Sequence, residues 1–232
     1  MSESLPSSLS VVIMAFNEVE GLPDVVREID GTLSQLGCPA EILIIDDGSC
    51  DGTGEAADDL GGAFKSVRVV HHGENRGLGG VYRTGLRESR LDCVTFFPAD
   101  GQFPAEIIER FWPSMQDHDL VLGYLPGGRS GLFGAALSAA ERLLYRLLFG
   151  PLPRFQGILM VRRTVLDRIP LTSAGRGWAV VMELIIRAVR AGCRIRSLPT
   201  SLRPRTTGVS KVQNARTIWS NLRQVLALRR HL

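Results

Sequence analysis

No stretch of the chain is long and uncharged enough to suggest a membrane span. Nothing among its 232 residues reaches the roughly 18 consecutive apolar residues expected of one. The nearest run, 131–140, is broken at once by Glu141 and Arg142. Cysteine is scarce. Cys38, Cys50, Cys93 and Cys193 stand far apart with no Cys-x-x-Cys spacing, which argues against a zinc ribbon or a disulfide framework and for reduced thiols in a cytoplasmic protein. Lysine occurs only at Lys65 and Lys211. Aromatic residues make up 6% of the chain and no nucleic-acid motif is present, so nucleic acid is not an expected partner. Repeats and low-complexity tracts are absent, which excludes solenoid and disordered architectures. The opening MSESLPSSLS is polar and acidic and does not read as a signal peptide.

Acidic residues are missing from one half. Residues 1–125 carry 8 Lys+Arg against 21 Asp+Glu, a net of −13, while residues 126–232 carry 19 against 3, a net of +16. Such a division suggests two halves with different partners. The basic half should attract an anion: a phosphate group, an anionic membrane surface or nucleic acid, of which the missing motifs disfavour the last. A general preference for Arg over Lys accounts for the residue type but not for the separation of charge.

What is present is a regular alternation. Apolar, β-branched runs at 9–14, 41–45, 66–71, 92–97 and 119–124 read as strands. Between them, helical spacing occurs over 21–36, 53–60, 79–88 and 104–115. This order predicts an α/β fold with a mostly parallel central sheet flanked by helices. Later, 156–161 reads as an edge strand, 177–191 as a strong helix and 194–199 as a short strand. Residues 132–149 read as an amphipathic helix and 211–232 as a basic amphipathic helix. The whole of 1–232 is expected to form one domain: 1–125, 126–211 and a C-terminal amphipathic helix over 212–232. His71 and His72 are adjacent in a strand, so their side chains point to opposite faces and are not expected to share a metal.

Polar and glycine-rich segments fall just after the strands, where parallel sheets bind ligands. In order they are Ala15-Phe16-Asn17-Glu18, Asp46-Asp47-Gly48-Ser49-Cys50-Asp51-Gly52-Thr53, Asn75-Arg76-Gly77-Leu78-Gly79-Gly80 and Ala99-Asp100-Gly101-Gln102. Alone, each is also a good strand-ending turn or helix cap. The glycine-rich third segment can bring backbone N–H groups to a phosphate, although it is not a Gly-x-Gly-x-x-Gly motif.

The ordered set resembles the family 2 glycosyltransferases of GT-A fold, and within them the polyprenyl-phosphate group that includes dolichyl-phosphate mannose synthase. The resemblance runs over about residues 9–211. It implies that 1–125 binds a nucleotide diphosphate sugar (GDP- or UDP-linked) through Ala15, Phe16, Asn17, Glu18, Asp46, Asp47, Arg76, Gly77 and Asp100. Phe16 would stack on the base and the carboxylates would accept from base or ribose. The family's Asp-x-Asp-x-Gln metal motif corresponds here to Pro98-Ala99-Asp100-Gly101-Gln102. Pro98 replaces the first aspartate, leaving Asp100 and Gln102 as ligands of Mg²⁺ or Mn²⁺.

The second half resembles the acceptor side, with Gly177-Trp178 to Glu183 matching the acceptor-side helix and Arg205-Thr206-Thr207-Gly208-Val209-Ser210-Lys211 a basic loop. Pro153 and Arg154 stand where the family commonly has an acid. The resemblance implies inverting transfer to a polyprenyl phosphate or other lipid acceptor, with Asp100, Glu183 and Arg129 in catalytic roles. Arg129, Arg142, Arg205 and Lys211 would gather the acceptor phosphate. A buried salt bridge is the plainer reading of Glu183. The helices over 132–149 and 211–232 suit either peripheral contact at the inner face of the cell membrane or packing on the core or in a homodimer. Two other readings stay open: a soluble glycosyltransferase with a hydroxyl acceptor, and a nucleotide-sugar-binding protein that has lost turnover with the aspartate at 98.

Overall fold

The apolar runs form the centre of a sheet covered on both faces. The computed structural model describes residues 6–126 and 144–203. In chain order the elements are β1 (Leu9–Ala15), α1 (Leu22–Leu36), β2 (Ala40–Asp46), α2 (Thr53–Ala63), β3 (Val67–His71), α3 (Gly77–Glu88), β4 (Cys93–Pro98) and α4 (Glu106–Phe111). After α4 come a 3₁₀ turn (Trp112–Gln116), β5 (Leu120–Tyr124), β6 (Leu159–Arg162), α5 (Arg163–Arg168), α6 (Ala179–Arg190) and β7 (Ile195–Pro199). Residues 144–149 are also helical.

The seven strands lie in the order β3-β2-β1-β4-β6-β5-β7. Strands β3, β2, β1 and β4 are parallel, as the alternation of strands and helices requires. The apolar runs of β1, β2 and β4 are buried on both faces. One layer packs α1, α2 and α4 on the sheet through Val26, Ile29, Leu60, Ile108 and Phe111, and the other packs α3 and α6 through Tyr82, Val181, Leu184 and Ile185.

One expectation is corrected. The 156–161 run is not an edge strand. Its ordered part, β6, lies between β4 and β5 and is antiparallel to both. All four of its residues are buried. Even Arg162 is 6% exposed, its guanidinium donating to the carbonyls of Met115 and His118. Among the described residues the edges are β3 and β7. The helix expected over 104–115 is also shorter, changing to 3₁₀ at Trp112 where Pro113 has no N–H to give. Short α5 was not expected.

From β1 the connections run toward β3 on one side, while β4 lies on the other. The crevice between the carboxyl ends of β1 and β4 is therefore the topological switch point, where ligands bind such sheets.

Candidate active site

Strand register brings the motifs together. Ala15 pairs with Asp46, Asp46 with His71, and Met14 with Pro98, so the loops after β1, β2, β3 and β4 leave one edge side by side. The amide of Asp47 donates to the Ala15 carbonyl and that of Ala99 to the Met14 carbonyl, which extends the ladder into the loops.

The first two loops are stitched by side chains. Asn17 has φ 52°, a left-handed conformation that asparagine tolerates. Its Oδ1 accepts from the Cys50 amide at 3.0 Å, and its own amide donates to Ser49 Oγ at 2.9 Å. The Glu18 amide donates to Thr53 Oγ1 at 2.9 Å. Thr53 is fully buried and its amide is held by Asp51 Oδ1 at 3.0 Å.

The paired aspartates face different ways. Asp46 is 5% exposed and Asp47 3%. Asp46 Oδ1 accepts from the Ser49 amide at 3.0 Å, and its Oδ2 lies 3.1 Å from His71 Nδ1. On its other side His71 Nε2 lies 3.0 Å from Asp58 Oδ1. Burial pushes the Asp46 carboxyl up, but hydrogen bonds from Ser49 and His71 outweigh it and hold the group below its ordinary range. The hydrogen bonds with Asp58 and Asp46 raise the His71 imidazole. Asp47 reaches the opposite histidine, with Oδ1 2.6 Å from His72 Nδ1, and His72 Nε2 lies 2.9 Å from Thr84 Oγ1. Each aspartate thus holds one of the two histidines, on opposite faces as strand geometry requires.

Asp47 also overturns an expectation about the third motif. The amides of Arg76 and Gly77 both donate to it, at 2.9 Å each, and the Gly79 amide donates to the Arg176 carbonyl at 2.8 Å. These N–H groups are therefore committed to the protein rather than to a phosphate. The glycines serve a close approach instead. Gly77 has φ +70°, and a Cβ there would lie 2.7 Å from the Arg176 carbonyl oxygen; one at Gly79 would collide with the Gly175 carbonyl.

The segment 172–178 forms a strap over the start of α3, held at both ends. Arg83 Nη1 donates to the carbonyls of Ser173 and Gly175. Glu183 of α6, fully buried, accepts from the amides of Thr172 and Ser173, from Thr172 Oγ1 at 2.8 Å and from Arg187 Nε at 2.8 Å. Burial raises its carboxyl, but hydrogen bonds from Ser173 and Thr172 prevail and lower it. A carboxylate so enclosed anchors the strap to α6, whatever part Glu183 takes in catalysis. The Arg83–strap and Asn75–Arg176 contacts had no local signal in the sequence, since their partners lie about ninety to a hundred residues apart. Thr53 had one: a threonine two residues after an aspartate, at a helix start.

Residues 10–174 match the family Glycosyl transferase family 2. The chain is a family 2 glycosyltransferase. This glycosyltransferase is 30% identical over 212 residues to an undecaprenyl-phosphate mannosyltransferase of Micrococcus luteus, covering 87% of this chain and 86% of that protein. It is 31% identical over 230 residues to a polyprenol monophosphomannose synthase of Mycolicibacterium smegmatis, covering 93% and 83%. Its fold matches glucosyl-3-phosphoglycerate synthase from Mycobacterium tuberculosis in complex with Mn²⁺, UDP and phosphoglyceric acid, with a TM-score of 0.68 and 20% identity over 94% of this chain and 78% of that one. The mixed seven-stranded sheet is that of the GT-A fold.

The glycosyltransferase presents Asp100 and Gln102 just beyond β4, and Asp100 Oδ1 accepts from the Gln102 amide at 3.1 Å. Pro98 ends the strand and contributes no side-chain oxygen. No cluster of three or more His, Cys, Asp or Glu suited to a metal occurs among the described residues. Two adjacent oxygen-bearing side chains nevertheless fit a hard cation that takes its other ligands from a diphosphate and water. Arg129, Arg142, Arg205 and Lys211 lie outside the described residues, as do 132–143 of the first expected amphipathic helix and all of the second, 211–232. No helix among the described residues is long and apolar enough to cross a membrane.

Proposed function

We propose that this single-domain glycosyltransferase moves a sugar, with inversion, from a GDP- or UDP-linked donor to a polyprenyl phosphate. The similarity to two enzymes named for polyprenyl-phosphate substrates, over more than four-fifths of each chain, carries the acceptor class. The geometry agrees with it. A hydroxyl acceptor needs a general base, and the one acid on the acceptor-side helix, Glu183, is fully engaged. A phosphate oxygen is already an anionic nucleophile and needs only cations to gather it. We assign that role to Arg129, Arg142, Arg205 and Lys211, and to Arg129 also the catalytic role that the resemblance implies.

On the donor side, Asp46 accepts from the base or ribose. Its two oxygens have about four acceptor sites, and Ser49 and His71 occupy two of them. Phe16 stacks on the base, while Ala15, Asn17 and Glu18 line the crevice beside it. Asp47 acts indirectly, placing Arg76 and Gly77. Asp100 and Gln102 would hold Mg²⁺ or Mn²⁺, which would supply charge neutralisation for the diphosphate leaving group. The excess of arginine over acid in residues 126–232 supports peripheral contact at the inner face of the membrane.

A labelled-sugar assay tests the reading. GDP- and UDP-sugars are supplied with Mn²⁺ and undecaprenyl phosphate, and label is counted in the organic extract. Label in the lipid fraction is the expected result. Transfer only to a water-soluble acceptor would overturn the lipid assignment, and binding without turnover under any divalent metal would favour a nucleotide-sugar-binding protein.

A further inference from the structure

The committed amides of the third motif leave a question about anions. Asp47 holds the N–H groups of Arg76 and Gly77, and the Arg176 carbonyl holds that of Gly79. With three amides of this segment already taken, side chains are the main groups left for a phosphate at this edge. Two arginines emerge there from the junction of the third loop with the strap. The stem of Arg76 lies against Gly80 in the first turn of α3. Cβ of Arg176 is 3.1 Å from where a Gly77 side chain would begin. Both residues are exposed. Arg176 is held in place by Asn75, whose Oδ1 accepts from Nη2 at 2.6 Å. That contact uses one of the five donors of a guanidinium. The backbone beneath it is fixed by Glu183 and Arg83. Glu74, also exposed, is the acid next to this pair in sequence.

We infer that Arg176 is a phosphoryl-binding residue of this site, acting beside Arg76 on the donor's diphosphate. The inference rests on the nucleoside-diphosphate reading above. Its physical basis is preorganisation: a guanidinium already tethered by Asn75 loses less freedom when it closes on phosphate oxygens. Glu183 and Asp47 then become positioning residues, one for each side of the junction.

The test is calorimetry with GDP and UDP, and with guanosine and uridine, on the wild type and on Arg176→Gln, Arg176→Lys and Asn75→Ala. Gln keeps a donor for Asn75 but removes the charge, and melting temperature checks folding. Arg176→Gln should weaken diphosphate binding by about tenfold, the size of a lost charge-assisted hydrogen bond, and leave nucleoside binding unchanged. Arg176→Lys should recover part of the loss, and Asn75→Ala should cost less than Arg176→Gln. If diphosphate binding is unchanged but the KM for a short polyprenyl phosphate rises by a similar factor, the residue is still phosphoryl-binding and the acceptor is the source. Diphosphate binding and acceptor KM both within twofold of wild type would overturn the inference, as would equal losses for diphosphate and nucleoside, leaving Arg176 a strut of the strap. Failure of the wild type to bind either nucleotide would instead remove the donor reading itself.

Discussion

His71 stands between two carboxylates, and this fixes how the edge formed by the loops after β2 and β3 responds to acid. Its imidazole is raised by Asp58 and Asp46, so protonated His71 stabilises the fold. That stabilisation is complete below the unfolded value of about 6.5 and is lost as pH rises through the higher folded value. Asp46 is lowered, so its contribution is present above the ordinary aspartate range and is lost as pH falls through the folded value. The melting-temperature advantage of wild type over His71→Gln should therefore be largest in mildly acidic buffer and shrink toward alkaline pH. A difference independent of pH would remove the charge from this account.

Pro98 is the other residue with a separable consequence. A carboxylate there would join Asp100 and Gln102 around the cation. Charge count tunes the affinity of oxygen-ligand sites, so Pro98→Asp should lower the Mn²⁺ concentration for half-maximal activity by roughly threefold or more. A metal titration of the transfer reaction measures it.

Among elements, α3 and the strap approach each other closely. Gly79→Ala would drive a methyl group into the Gly175 carbonyl and within 2.8 Å of that of Gly177. Overpacking of this kind costs about 1–3 kcal/mol, read by urea denaturation, and activity should fall with it because the strap also braces the Asn75 loop.

The elements also show what a sequence reveals. Strands β1 to β4 were legible because each apolar run stops at a polar, glycine-bearing turn, and α1 because its apolar residues recur at helical spacing. Strand β6 was visible as a strand but misplaced. A buried run of Leu159-Met160-Val161 looks the same at an edge or a centre, and its partners are set by strands far away in the chain. The candidate site divides in the same way. The positions of Asp46, Asp47 and Glu183 were apparent, but not the direction in which each carboxylate points. Asp47 turns to amides about thirty residues on, and Glu183 to a strap about ten residues back.

On the scale of the whole molecule, the acidic and basic halves interlock. Arg203 reaches Glu28 at 2.8 Å, and Arg194 reaches Asp119 at 2.8 Å. These contacts neutralise only part of the basic half, whose net is +16. The remainder should draw the protein to anionic vesicles, with binding that weakens as salt rises because the Debye length shortens from about 10 Å at 0.1 M to about 3 Å at 1 M. Flotation with phosphatidylglycerol vesicles across a salt series checks this, and no flotation at low salt would remove the membrane contact.

The central place of β6 has a consequence for the chain as it is synthesised. Strand β4 is complete at Pro98, but the strand that covers its free side begins only at Leu159, about sixty residues later. At about 5–20 residues per second, that side stays open for several seconds. Strand β5 emerges in the interval but never pairs with β4 in the finished sheet. For those seconds the nascent protein carries an uncovered strand edge, the kind of surface that recruits neighbouring chains. Slower translation or crowded ribosomes would therefore endanger this enzyme before its sheet is closed.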